Sequence, residues 1–255
     1  MDVAAKEGKY IYCVIDSNQP QSFGPLGIGG RGDDLYMVCF NDISAVVSDA
    51  PIKKYRVSRV NSLAHEKAIE KVMAEHTALP VRFATVAEDQ EKVKRILEKE
   101  HDRFKDLLDS IKNKTELGLK AMFKESVIYR DILEKYEDIR LLKEKIATIA
   151  PEKSHYQRMK IGKMVEEALQ REKEIVRADI LDTLSPLAAE VKNNDTYGDM
   201  MIINTAFFVE KVKESDFDQR VRLLDEKYGE EVTFKYVGAL PPFNFVNISI
   251  NTEDY

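Results

Sequence analysis

The chain has 255 residues and a mass of 29.2 kDa, with 44% hydrophobic and 33% charged residues, a formal net charge of −6 and a pI near 5.5. That length allows one large domain or two ordinary ones, and the acidic balance supplies no global basic field to collect nucleic acid. No window approaches 18 consecutive apolar residues, so no membrane span is expected.

The start, "MDVAAKEGKY", lacks a basic stretch followed by an apolar one and does not read as a secretory signal. In "KYIYCVI", residues 9–15, both alternating faces are apolar, as in a strand covered on both sides. A Gly- and Pro-rich loop follows, and then "LYMVCF" and "ISAVVSDA" read as two strands joined by a tight turn at Asn41-Asp42. Cys13 and Cys39 fall inside strand-like runs and are expected to be reduced and buried. From Asn61, taken as an N-cap, Leu63, Ala64, Ala68, Val72 and Met73 repeat at helical spacing. "ALPVRFATV" predicts a short strand with its proline near the start. Asp89 then caps a helix running to about residue 111.

"KNKT" breaks the pattern near residue 112, and "ELGLKAMFK" resumes as a strand. Two long helices are predicted next. The first carries Ile128, Ile132, Tyr136, Ile139, Leu142, Ile146 and Ile149, and is closed by Pro151. The second runs from about Ser154 to Val191, with Pro186 expected to end or kink it. Together they read as an antiparallel helical hairpin over about 125–191, with helices of roughly 35 and 55 Å. A strand ("MMIINTAFFVE"), a helix ("SDFDQRVRLLDEKYGE") and terminal strand material ("EVTFKYVGALPPFNFVNISI") complete the chain. Strands and helices mixed with hairpin connections imply an α+β fold of two domains, residues 1–112 and 113–255.

None of the chemical motifs coheres into a catalytic site. "GIGGRG" (27–32) precedes a strand rather than a helix and lacks the Lys-Ser or Lys-Thr pair of a phosphate loop, so it reads as a turn. Among His65, His76, His101 and His155, "HE" at 65–66 lacks the second histidine of a zinc protease motif. His65 and His76 would stand about 16 Å apart on one helix, too far to share a metal. Carboxylates sit beside lysines at helical spacing, as on a solvated face. No catalytic residue, cofactor or metal is assigned, and the chain is expected not to be an enzyme. Arg82, between Val81 and Phe83, needs a partner if buried; Glu66 is the candidate for an Arg–Glu tie, with a plain edge-facing arginine as the other reading. In "GALPPFNFV", Gly238 is expected to take an unusual backbone angle, and Pro241-Pro242 to end the ladder.

Several stretches together resemble the gas vesicle protein F/L family (GvpF/GvpL): "YIYCVI", "ISAVVSDAPI", "HEKAIEKVM", "ALPVRFATV", "ELGLKAMF", "KIGKMVEEAL" and "GALPPFNFV", in that order over about residues 9–248. The signature positions are His65, Glu66, Leu79, Pro80, Val81, Arg82, Phe83, Thr85, Gly238, Pro241, Pro242, Phe243, Asn244 and Phe245. Two departures stand out: Ala84 where the family often has Gly, and Ala239-Leu240 where Gly-Pro is common. The resemblance implies an N-terminal α+β domain and a C-terminal modified ferredoxin-like domain bearing the helical hairpin. It also implies a cytoplasmic, gas vesicle-associated accessory protein that binds the hydrophobic shell protein and other accessory proteins during nucleation or assembly. No nucleic acid, lipid membrane or cofactor is implied. A soluble partner for such a shell protein should offer sheet edges or apolar grooves, and the sheet of one domain, rather than the hairpin, is the expected contact. The alternative is a ferredoxin-like ligand-binding or regulatory module unrelated to gas vesicles.

Overall fold

The structure, a computed structural model, describes residues 6–150 and 153–255. Packing divides the chain into two units: residues up to Glu116 together with Ala239–Tyr255, and Leu117–Gly238.

The first unit is built on a six-stranded sheet of β1 (Glu7–Ile15), β2 (Ser22–Gly24), β3 (Leu35–Phe40), β4 (Ile43–Pro51), β5 (Ala78–Pro80) and β6 (Val86–Ala87), in the order β2-β3-β4-β1-β5, with β6 also on β1. β1 is central and buried from Tyr10 to Ile15, as its two apolar faces require. The β3–β4 turn is the two-residue one expected, with Phe40 opposite Ile43 and Asn41 at φ +49°. Helix α1 (Arg59–Met73) places Ala68, Ile69 and Val72 against Tyr10, Tyr12 and Ile15. Its cap is Ser58, whose hydroxyl accepts the Asn61 N–H at 3.3 Å; Asn61 is thus inside the helix rather than its cap. Asp89 does cap α2 (Gln90–Lys99), accepting the Lys92 N–H at 2.8 Å. The predicted single helix to residue 111 is divided at Glu100, where α3 (His101–Ile111) begins. Cys13 is buried, whereas Cys39 is only partly so, and both are free thiols.

The "ALPVRFATV" stretch is strand only over β5 and β6. Between them Val81 makes an isolated parallel bridge to Ile248, and Ala84 turns the chain at φ +68°. A residue with positive φ cannot continue a pleated strand.

The second unit starts within β7 (Lys114–Phe123) and continues through α4 (Glu125–Lys135), α5 (Glu137–Ala147), α6 (His155–Leu184), β8 (Ala188–Asn193), β9 (Met201–Glu210), α7 (Glu214–Tyr228) and β10 (Val232–Leu240). The sheet order is β10-β7-β9-β8. With helices between the first and second strands and between the third and fourth, this is the βαββαβ ferredoxin-like arrangement, and its first crossover is enlarged to three helices. Buried Leu117, Leu119, Ala121 and Phe123 of β7 meet Ile128, Ile132, Leu169, Val176 and Ile180 from the crossover and Phe217, Val221 and Leu224 from α7.

Two expectations for the hairpin are corrected. Its first helix is interrupted at Tyr136, whose φ/ψ of −107°/93° is extended, so it is two helices. Its second helix stops at Leu184: Ser185-Pro186-Leu187 forms a short 3-10 turn, and residues 188–193, placed in the helix through Val191, pair instead with β9. Pro186 has no N–H and supports the turn that redirects the chain. The role given to Pro151 lies outside the described residues. The boundary near residue 112 also differs from the packing division in one segment, since residues 239–255 belong with the first unit rather than with 113–238.

Candidate functional site

The first unit contains a cleft of about 530 Å³ lined by Ser62, His65 and Glu66 of α1, Pro80, Arg82 and Phe83 of the β5 segment, and Phe243, Val246, Asn247 and Ile248 of the C-terminal segment. Residues separated by up to 186 positions along the chain therefore meet at one place. Six of them, His65, Glu66, Pro80, Arg82, Phe83 and Phe243, are among the residues read above as signature positions.

His65 forms its inner wall. It is buried, because i+3 and i+4 spacing puts it on the same face of α1 as Ala68 and Ile69. Its Nε2 lies 3.1 Å from the Val81 carbonyl, and its Nδ1 lies 3.2 Å from the Tyr10 hydroxyl. That hydroxyl also accepts the Ala84 N–H at 2.9 Å. One proton arrangement satisfies every group: Nε2–H donates to Val81, and Tyr10 O–H donates to Nδ1. Four aromatic rings enclose the imidazole, with centroid separations of 5.7 Å to Tyr12 (stacked), 5.7 Å to Phe83, 5.6 Å to Tyr10 and 6.0 Å to Phe243. Burial pushes its pKa down to about 4, opposed by the Val81 hydrogen bond, so the ring is neutral at pH 7. The same desolvation drives the Tyr10 phenol well above its ordinary value and the Tyr12 phenol up to about 12.

At the rim, Arg82 is exposed and Glu66 half-buried, and neither makes an ion pair within 4.0 Å among the described residues. The expected Arg–Glu tie is absent, and the edge-facing arginine is what the fold uses. Burial, with Glu70 adding to it, raises the Glu66 pKa, as expected for a carboxyl without a cationic neighbour. The Arg82 backbone contributes instead: its N–H donates to the Ile248 carbonyl at 3.0 Å, and its carbonyl accepts the Thr85 hydroxyl at 2.7 Å. Leu79 and Val81 are fully buried, and the Val81 N–H donates to the Tyr12 carbonyl at 3.0 Å.

The C-terminal segment closes the cleft. Pro241 and Pro242 end β10, and the Phe245 and Val246 N–H groups fold back onto the Pro242 carbonyl at 3.1 and 2.9 Å. Asn244 sits in that turn and donates from both its backbone N–H (2.9 Å to Oε2) and its side-chain amide (to Oε1) to the buried carboxylate of Glu116. The Phe243 ring lies tilted against His65. Gly238 departs from expectation: it lies within β10, not among the positive-φ residues, and an added Cβ would stand 2.7 Å from Leu117 Cδ2 on the neighbouring strand. Close approach, rather than backbone angle, explains it.

Sequence reasoning did not single out Tyr10, Tyr12 or Glu116, the groups that anchor His65 and Asn244. The available signal was a pair of tyrosines on one face of a fully apolar strand, whose hydroxyls require buried partners. Elsewhere, the positive φ values of Gly29, Gly30 and Gly32 make "GIGGRG" a turn. His76 bonds Gln21 at 3.1 Å, and His101 lies 2.7 Å from Asp42. Among the described residues no cluster of His, Cys, Asp and Glu is arranged to hold a metal, and no helix is long and apolar enough to cross a membrane.

The profile of a family described as "Gas vesicle synthesis protein GvpL/GvpF" matches residues 8–247. Gas vesicle protein F of Nostoc sp. (strain PCC 7120) is 26% identical over 245 residues, covering 95% of this chain and 99% of that protein. Gas vesicle protein F of Haloferax mediterranei is 24% identical over 247 residues, with 96% and 95% covered. The crystal structure of GvpF from Anabaena sp. PCC7120 superimposes with a TM-score of 0.80 at 26% identity, covering 96% of this chain and all of that one. GvpF from Microcystis aeruginosa superimposes with a TM-score of 0.73 at 25% identity, covering 93% and 98%.

Proposed function

The chain belongs to the gas vesicle synthesis protein GvpL/GvpF family, and from that premise we propose that it is a non-catalytic cytoplasmic accessory protein that binds the hydrophobic shell protein and other accessory proteins during vesicle nucleation or assembly. The observation carrying this reading is that the likeness to gas vesicle protein F runs through both units in sequence and in fold, at nearly full length on each side. The His65 cleft is read as the closure of the first unit: a satisfied neutral imidazole in an aromatic box suits a fixed joint better than a reacting group.

For the shell protein, open sheet edges are the proposed contact. In the second unit β8 and β10 each have one strand neighbour, and most residues of both are exposed or half-buried. An apolar, strand-forming partner can add to such an edge through backbone hydrogen bonds. Deletion of the gene, scored by electron microscopy, tests the assembly role; unaltered vesicles would overturn it. Co-precipitation of shell protein with the full chain tests the surface. Glu190→Pro in β8 together with Val237→Lys in β10 is expected to reduce capture. If Leu141→Glu with Met159→Glu in the helical hairpin reduces it instead, the edge assignment fails.

A further inference from the structure

A concavity of about 890 Å³ lies among α4, α5 and α6, lined by apolar groups including Tyr129, Leu133, Ile146, Ile161, Val165 and Leu169. Along α6 its wall extends from Arg158 to Gln170, about 18 Å at the helical rise. Gly162 lies in this wall, in the interior of a 30-residue helix, where glycine costs about 1 kcal/mol relative to alanine. A Cβ built there meets nothing within 4 Å, so no packing among the described residues requires the glycine. What it leaves is bare backbone facing an apolar groove, the condition for close approach by another molecule.

The surroundings are charged in one sense. Residues 140–163 hold seven Lys and Arg against two Glu, in a chain whose net charge is −6. Among the described residues, Lys143, Lys145, Lys153, Arg158 and Lys160 make no ion pair within 4.0 Å. Leu141, Tyr156 and Met159 are exposed in the same segment. Glu166 and Asp199 also line the groove, on the side away from the α5–α6 connection.

We propose that this groove receives an amphipathic helix of a partner protein, with its apolar i, i+3, i+4 and i+7 side chains seated between α5 and α6 and carboxylates beside that face meeting the basic end of the hairpin. A wall of about 18 Å matches three to four helical turns. An anionic membrane fits less well, because the apolar surface is concave and Glu166 and Asp199 would face the headgroups. A second copy of this chain fits less well too: the apolar faces of acidic helices such as α3 and α7 are already buried, at Phe104, Leu108 and Ile111 and at Phe217, Val221 and Leu224.

The test uses the full-length chain and a fluorescent helical peptide of about four turns, with Leu at i, i+3, i+4 and i+7 and Glu on the flanks. Anisotropy is expected to show binding about tenfold tighter or more than for a Lys-flanked peptide or one with Leu replaced by Ser, weakening as salt rises. Gly162→Leu, which fills the groove while improving helix propensity, should weaken binding about tenfold with the thermal midpoint unchanged or raised. Lys143→Glu with Arg158→Glu should shift preference towards the Lys-flanked peptide. Equal binding of both flank types, insensitivity to Gly162→Leu, preferential binding to phosphatidylglycerol vesicles, or sedimentation showing a dimer that Gly162→Leu dissociates would each overturn the proposal.

Discussion

Between pH 7 and pH 4 the buried imidazole of His65 is the group expected to draw down the stability of the first unit. In the unfolded chain it titrates near 6.5; in the fold burial holds it near 4. Below 6.5 the unfolded state therefore binds a proton that the folded state refuses. The contribution of neutral His65 is complete above pH 6.5 and is lost progressively as pH falls towards 4. At 1.36 kcal/mol per pH unit, the interval corresponds to about 3 kcal/mol. That is an upper figure, because the faces of Tyr12 and Phe243 offer a protonated ring some attraction. The assay is urea unfolding at pH 7, 5.5 and 4 for the native chain and for His65→Gln, which cannot titrate. The variant should be less stable at pH 7, having lost the ring packing, yet decline less steeply with acid, so that the two curves converge by about 2–3 kcal/mol at pH 4. Carboxylates such as Asp42, held near 2 by Lys105 and His101, titrate in both proteins and cancel in the comparison. Parallel curves, or an NMR titration placing His65 near 6.5, would refute the buried neutral joint.

Ala84 occupies a left-handed position at φ +68°, so Ala84→Gly should raise unfolding stability by up to about 1 kcal/mol, the relief of left-handed strain less the added freedom of the unfolded chain; a loss of stability in denaturant titration would count against the turn geometry. Asn244→Ala removes a charge-assisted bond to the buried Glu116 carboxylate and should cost about 2 kcal/mol, with hydrogen exchange accelerating first in residues 241–248. Gly238→Ala should destabilise by about 1–3 kcal/mol through Leu117. In the background of Leu117→Ala the same change should be nearly neutral, and additivity in that double-mutant cycle would exclude the proposed clash.

Periodicity made most elements of the chain legible, because period-two and period-3.6 burial are local properties of strands and helices. β1 reads as a strand covered on both faces and is one. The failures were places where local pattern and tertiary demand diverge. Residues 188–193 carry Val191 in helical phase with Leu184 and Leu187, but the edge of a sheet lay open beside them, and pairing with β9 prevailed. Tyr136 sits in the apolar stripe of a continuous helix, yet its hydroxyl reaches Glu172 of α6 at 2.7 Å at the point where the backbone departs from helix. Nothing in its spacing announces that bond. The candidate site was legible as a set of residues but not as a place. "HE", "LPVRF" and "PPFNF" lie in three segments, and only folding shows that they line one cleft.

That convergence also shows what several of the residues read as signature positions do in the fold. Arg82 was singled out for its charge, yet its guanidinium faces solvent, while its backbone N–H and carbonyl tie the β5 segment to Ile248 and Thr85. Asn244 lies in the turn closed on the Pro242 carbonyl, and its amide also caps the carboxylate of Glu116. The double proline stops β10 so that Phe243 can leave the ladder and reach His65. The Arg82–Ile248, Glu116–Asn244 and His65–Phe243 contacts each close the first unit with a segment that the chain supplies only after the second unit has been completed. A fragment ending at residue 112 would lack Glu116, Phe243 and Ile248 together, leaving the Val81 and Arg82 side of the cleft open and its aromatic box short of a wall. Comparisons of isolated units are therefore sound only when residues 239–255 are joined to the first, because without them a loss of partner binding would report the loss of the joint rather than of the docking surface.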